Sequence, residues 1–196
     1  MKKFTKVISV IAATAMVMAM MTGCGGKKDT LQGDPNATSF KIGGIGPITG
    51  GAAIYGQAVK NAAQLAIDEI NEAGGVNGYT LELNFQDDEH DAEKSVNAYN
   101  TLKDWGVQIV MGSVTSDPCI AVSAKTKEDN VFQITPSGSA VDCVKYDNAF
   151  RICFSDPNQG AASAKYIGQN GLASKVAIIY DSGTTYSSGI YESFVA

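Results

Sequence analysis

The residues best suited to chemistry lie in one short run, Gly112-Ser113-Val114-Thr115-Ser116-Asp117-Pro118. It follows an apolar stretch, Val107–Met111, that reads as a buried strand, and precedes a stretch, Cys119–Asn130, that reads as a helix. Pro118 suits the first helical turn, where its missing N–H is no loss. Ser116 or Asp117 is then the expected N-cap. A strand that turns sharply into a helix leaves N–H groups unpaired at the helix start. With the hydroxyls of Thr115 and Ser116, those groups make a seat for a small anion such as a carboxylate. Taken alone, the run also fits a capped turn that binds nothing.

Three catalytic constellations can be weighed against the same residues. Gly44-Ile45-Gly46 with Gly50 and Gly51 has the flavour of a dinucleotide-binding loop, but the third glycine falls one place late. The acid that should follow, Asp87 or Asp88, comes about forty residues on, where about twenty is usual. Asp87-Asp88-Glu89-His90-Asp91 has metal-ligand residue types, yet Asp91 is needed as the N-cap of the next helix and no second ligand set accompanies the cluster. A serine nucleophile would have to use His90, the single histidine of the chain, and no Gly-x-Ser-x-Gly elbow is present. The expectation is therefore no catalysis, no cofactor and no metal. With 15 basic against 20 acidic residues, a net charge of −5 and no basic patch, a nucleic-acid partner is not expected either.

The elements that must position the Gly112 run alternate along the chain. Lys2, Lys3 and Lys6 precede an apolar segment, Val7–Met21, that is short for a membrane span and ends in Met21-Thr22-Gly23-Cys24. Residues 1–24 are thus expected to be a leader, and residues 25–39, rich in Gly, Lys, Asp and Pro, a flexible tether. Strands are expected at Phe40–Ile45, Thr80–Gln86, Val107–Met111, Val131–Ile134, Ala149–Phe154 and Lys175–Tyr180. Helices are expected at Tyr55–Ala73, Asp91–Asp104, Cys119–Asn130, Asn158–Asn170 and from about Ser187. Ala58, Ala62, Leu65, Ala66, Ile70 and Ala73 recur at helical spacing and are the expected buried face of the first helix. This order predicts an α/β fold, a parallel sheet with helices on both faces and a ligand site at the carboxyl ends of the strands. The loops there, Gly46–Tyr55, Gly112–Ser116, Thr135–Ser139 and Asp181–Tyr186, hold Ser, Thr, Gly and Tyr and neither Lys nor Arg. That composition suits a small ligand with both donors and acceptors rather than a phosphate.

Ile42–Gly56, Gly112–Ser116, Ile134–Ser139 and Phe150–Gly160, in this order and spacing, resemble the leucine/isoleucine/valine-binding protein family. These are type I periplasmic-type solute-binding proteins of branched-chain amino acid ABC transporters, and the resemblance runs from Phe40 to the chain end. Met21–Cys24 resembles a bacterial lipoprotein signal, in which the cysteine is acylated, although Met21 stands where leucine is usual. The resemblance implies two Rossmann-like lobes closing over an amino acid. It implies an N-terminal lobe over residues 40–154, and a hinge crossing with the start of a second lobe over 155–196. Ser116 falls where the family holds the α-carboxylate. Ser137 and Ser139 fall where a carbonyl and a hydroxyl meet the α-ammonium, and Tyr55 and Tyr186 fall where aromatics pack on the ligand. The partners implied are an amino acid, the permease subunits and, through Cys24, the outer face of the cell membrane; a ligand-sensing receptor module of the same fold is the alternative. The acid that completes the ammonium site in the family would lie beyond Ala196, which implies a truncated member. A family disulfide joins two loops whose places are held here by Asp91 and Thr115. Of the other cysteines, Cys119 and Cys143 both follow cleft loops, so a bridge between them is open, and Cys153 reads as a buried thiol.

If Cys24 carries lipid, Cys24→Ala releases the protein from the membrane or blocks its processing. Membrane fractionation and sequencing of the mature N-terminus measure this, and an unchanged result refutes the lipoprotein signal.

Overall fold

The structure is a computed structural model that describes residues 38–196. The expected leader, its Cys24 and all but the last two residues of the expected tether lie outside the described residues. Five strands form one wholly parallel sheet: β1 (Ser39–Gly46), β2 (Thr80–Asp87), β3 (Ile109–Met111), β4 (Phe132–Thr135) and β5 (Ala149–Arg151). Their order is β2-β1-β3-β4-β5. Between them run α1 (Ala53–Glu72), α2 (Ala92–Trp105) and α3 (Ser116–Asp129), and α4 (Asp156–Gln169) and α5 (Thr185–Val195) follow. The chain steps one way from β1 to β2 and the other way from β2 across β1 to β3. Right-handed crossovers then put α1 on one face of the sheet and α2 and α3 on the other. Among the described residues, no helix is long and apolar enough to cross a membrane.

Local signals explain where the elements stop. Asp91 caps α2 by accepting from the Lys94 N–H at 2.8 Å, as its position predicts. Gly106, at φ 87°, closes the same helix in the left-handed conformation that glycine adopts without penalty. Ser155 accepts from the Asn158 N–H at 3.4 Å and opens α4, with a proline in its first turn.

The main core lies between the sheet and the α2–α3 pair. It is built from Ile45, Tyr99, Leu102, Val107, Val110, Val122 and Val131, with Ala98. Tyr99 is fully buried except for its path to Asp129, whose Oδ2 accepts from the phenol at 2.9 Å while Oδ1 pairs with Lys103 at 2.6 Å. One carboxylate thereby ties α2 to the end of α3, and the Tyr99 ring contributes packing at the same point.

Two sequence expectations need correction. The buried face of α1 is not the stripe from Ala58 to Ala73, all of which is exposed, Leu65 at 61%. The helix turns Gly56 and Ile67 inward, with Val59 and Ala63 half-buried between them. Both sets obey helical spacing. The decisive contact is Gly56, which sits so close to Pro47 that an added Cβ would lie 1.9 Å from the Pro47 carbonyl oxygen. Second, Lys175–Tyr180 is extended but is not a strand: among the described residues no neighbour pairs with it, and Ile179 is fully exposed. An isolated strand has no ladder to satisfy its N–H and C=O groups, so sequence preference alone does not make one. Helices do lie on both faces, α1 on one and α2 and α3 on the other, but they leave part of one face bare. Phe132 and Phe150 stack at 5.2 Å on the face opposite α3 and remain 42% and 49% exposed.

Gly56→Ala forces the α1–β1 loop apart and is expected to lower stability by roughly 1–3 kcal/mol. Chemical denaturation against the wild type checks this, and an unchanged midpoint would show that the loop yields freely.

Candidate functional site

The loops after β1, β3 and β4 meet at the carboxyl edge of the sheet, where the strand order reverses between β1 and β3. Ligand crevices of open α/β sheets form at such switch points. A cavity of about 490 Å³ opens there, and its wall includes Tyr55, Ser116, Ser137, Ser139 and Tyr186. These five residues, drawn from four separate loops and helix starts, are the ones singled out in the sequence. His90, Thr115, Asp117, Cys153 and Phe154 complete much of the wall, which among the described residues contains neither Lys nor Arg.

The floor is the start of α3. Its N-cap is Thr115, one residue earlier than the sequence suggests, and no side chain caps it. The Thr115 hydroxyl is engaged elsewhere, 2.9 Å from His90 Nδ1. Pro118, at the third helical position, has no N–H. The free N–H groups of this helix start therefore belong to Ser116 and Asp117, both in the cavity wall. The helix dipole and these donors favour negative charge at that point. The Ser116 hydroxyl is 95% buried with its residue and accepts from the Ala140 N–H at 3.2 Å, which leaves its own hydrogen free to donate.

Side-chain bonds hold the opposing loop. Ser137 donates to the Val114 carbonyl at 2.6 Å. Arg151 donates from one nitrogen to the carbonyls of Ser139 and Ala140, at 2.8 and 2.9 Å, and the Asp156 N–H reaches the Ser139 carbonyl at 3.0 Å. The Ser139 carbonyl is thus already used. What Ser139 can offer a ligand is its hydroxyl, and what Ser137 can offer is its carbonyl. Gly112 is required where β3 ends: at φ 140°, an added Cβ would lie 2.4 Å from the Ile45 carbonyl oxygen.

The acidic cluster after β2 has structural work. Asp87 accepts from the N–H groups of Ile48 and Glu89, at 2.9 and 3.0 Å, and from the Thr49 hydroxyl. Burial opposes its charge, but these hydrogen bonds outweigh it and hold the carboxyl below its ordinary range. Glu89 pairs with Lys94 at 2.6 Å. His90, like Asp117, Cys153 and Phe154, is a wall residue that sequence reasoning did not assign to the site. The available signal was its place at the carboxyl end of β2, in a left-handed pair with Glu89. It also corrects the loop tie: His90, not Asp91, meets Thr115.

Family comparison agrees with this fold. Residues 39–196 match the family model described as periplasmic binding protein. The chain belongs to the periplasmic binding protein family. It is 40% identical over 157 residues to the Leu/Ile/Val-binding protein BraC3 of Rhizobium johnstonii, covering 79% of this chain and 42% of that one. It is 34% identical to the leucine-, isoleucine-, valine-, threonine- and alanine-binding protein of Pseudomonas aeruginosa, with 79% and 42% covered. Among solved structures, this periplasmic binding protein chain resembles LivJ of Streptococcus pneumoniae, a branched-chain amino acid transporter substrate binding protein in complex with isoleucine. The TM-score is 0.76 at 32% identity, with 80% of this chain and 46% of that one covered. For the leucine binding protein LivK of Thermotoga maritima the TM-score is 0.73 at 29% identity, with 80% and 44% covered. The chain spans 42% of the length of the first of these relatives.

Asp156 sits 1% exposed beside the Ser139 loop, and neither of its carboxylate oxygens finds a hydrogen-bond partner. Burial raises its carboxyl above the ordinary value of 3.8, and the nearby Ser139 hydroxyl and the pull of Arg151 only partly offset this. The folded protein then holds a proton that the unfolded chain would release, so stability falls as pH rises from about 4 through the raised value. Asp156→Asn removes that cost. Its melting temperature should exceed that of the wild type at pH 7, and the gap should close as pH falls below about 4. Thermal melts across this range measure it; a gap independent of pH would assign the effect to packing.

Proposed function

We propose that this chain captures an amino acid, branched-chain or similar in size, as part of an extracytoplasmic receptor that delivers it to the permease of an ABC transporter. The observation that carries the reading is the uncapped start of α3 inside the cavity, with Ser116 on its floor and Ser137 and Ser139 opposite. The N–H groups of Ser116 and Asp117 and the Ser116 hydroxyl take the α-carboxylate. The Ser137 carbonyl and the Ser139 hydroxyl take the α-ammonium. Tyr55, Phe154 and Tyr186 line the space left for the side chain. The role in this reading is capture and not catalysis, which the relatives' names as binding proteins support.

The names of the relatives support the ligand class, since they bind leucine, isoleucine and valine. In this reading residues 40–154 form the first lobe, and residues 155–196 cross the hinge and begin the second. Asp117 in the first turn of α3 accepts a hydrogen bond from Thr185 in the first turn of α5, a contact across that division. Cys24 supplies the lipid that keeps the receptor at the outer face of the membrane, beside its permease.

Hydrogen bonds to charged groups are worth about 1.5–3 kcal/mol, so Ser116→Ala should weaken amino acid binding about ten- to a hundred-fold. Calorimetry with isoleucine, leucine and valine, on the two-lobed receptor that this reading describes, is the measurement. Wild-type affinity in the variant would remove Ser116 from the site.

A further inference from the structure

Beneath the floor of the cavity lie two thiols. Cys119 is in the first turns of α3, and Cys143 is in the short 3₁₀ turn Val141–Val144 that follows the Ser139 loop. Both are fully buried, and with Ala140 they form a small core of their own. Gly138 lies between them: a Cβ added there would be 3.1 Å from Cys119 Cβ and 3.1 Å from Cys143 Sγ. A larger residue at 138 would push the two apart. Each thiol has further polar neighbours. Cys143 Sγ lies 3.6 Å from the Ser116 carbonyl oxygen, and the Gln133 amide lies 3.6 Å from Cys119 Sγ. A hydrogen bond donated to Cys119 and then burial hold the Cys143 thiol well above its ordinary range, and the same contact holds Cys119 below its own. Cys153 is apart from this pair, half-buried in the cavity wall.

We infer that Cys119 and Cys143 form an intramolecular disulfide, closed by exchange with a disulfide donor as the chain folds. The two side chains share one buried cluster with Ala140, and both border the same point beside Gly138. Because both sulfurs are fully buried in the folded pocket and the Cys143 thiol is held protonated there, exchange takes place before the pocket closes. One thiolate attacks the donor's S–S bond, giving a mixed disulfide and one donor thiol. The second protein thiolate then displaces the other donor thiol. One protein S–S bond forms, one donor S–S bond breaks, and the donor takes the two electrons while its two thiols take up the two protons. The bridge pins the 3₁₀ turn to the first turns of α3, directly behind Ser116. It thereby fixes the distance between the two sides of the proposed ligand seat. The source of the donor, a disulfide of the oxidising space outside the cytoplasm, rests on the location proposed above; the pairing itself does not.

The test maps disulfides in the full chain in two arms. In one, the reduced and unfolded chain is refolded in an oxidised and reduced glutathione couple; in the other, the chain is exported by a bacterial host and taken without refolding. Both are alkylated under denaturing conditions and digested, and the peptides are mapped by mass spectrometry. A linked Cys119–Cys143 peptide in either arm, with Cys153 alkylated, is the expected result. Alkylation of both Cys119 and Cys143 in both arms, or a link from either to Cys24 or Cys153, overturns the inference. As an independent readout, reductant should lower the melting temperature of the bridged chain by about 10 °C and leave Cys143→Ser unmoved. Equal shifts in the two proteins also overturn it. Amino acid binding is not measured in either arm, so failure of the receptor reading and failure of the bridge give separate results.

Discussion

Gln133 is the residue on which the site depends. It is a fully buried amide in the middle of a parallel sheet, where an apolar side chain would be ordinary. Its nitrogen donates to the Gly112 carbonyl at 2.8 Å, and its oxygen accepts from the Thr126 hydroxyl at 2.7 Å. Two residues further along the same strand, Thr135 donates to the Ser113 carbonyl at 2.7 Å and accepts from the Gly138 N–H at 2.8 Å. The loop after β3 has little secondary structure of its own, and these bonds are what hold it. Each contributes only about 1 kcal/mol net, but leaving one such buried group unpaired costs about 1–3 kcal/mol. The network therefore acts less as a source of stability than as a penalty on every other loop shape. That penalty is what keeps the start of α3 open towards the cavity rather than folded back on a capping side chain.

The same economy explains the charges. Arg151 is the nearest fixed cation to the Ser139 loop, and it is spent on two backbone carbonyls. Lys103, Lys94 and Lys127 are committed to Asp129, Glu89 and Asp147. Apart from Asp117, which accepts from Thr185, the cavity wall is left mainly with dipoles: a helix start, hydroxyls and a carbonyl. Dipoles can balance both ends of a zwitterion, whereas a bound ligand with net charge would leave an uncompensated ion in a partly dry space. The asymmetry of the wall, donors on the α3 side and acceptors on the Ser137 side, sets which end of such a ligand goes where.

Much of the fold is legible in the sequence because it is written in local signals. Asp91, Gly106 and Pro157 mark helix ends, and apolar runs bounded by turns mark β1 to β4. The cavity residues Tyr55, Ser116, Ser137, Ser139 and Tyr186 were singled out by the family resemblance; what the residues themselves made legible is the set of loops and helix starts that follow the strands, which a parallel sheet brings together. What stayed hidden depends on partners far away in the chain. The inward face of α1 is chosen by the close approach of Gly56 to Pro47, and small residues carry no hydropathy signal strong enough to outvote Leu65 and Ile70. Lys175–Tyr180 has a strand's composition but, among the described residues, no neighbour. His90 reaches the site through a left-handed turn that residue types alone do not announce.

The loop tie between His90 and Thr115 shows how the two kinds of information combine. Asp91 stands next to His90, and its side chain has one strong local use, capping α2. That use turns the carboxylate towards Lys94 and away from the cavity. The preceding residue must then supply any contact with the β3 loop, and the left-handed backbone at Glu89 and His90 carries the imidazole there. A single hydrogen bond at 2.9 Å joins the two loops. It is weaker than a covalent tie and does not close off motion between the loops. The Thr115 hydroxyl is also withdrawn from its capping role by the same bond. The contact that joins the rims of the cavity is thus one of the reasons that the helix start on its floor has N–H groups to spare.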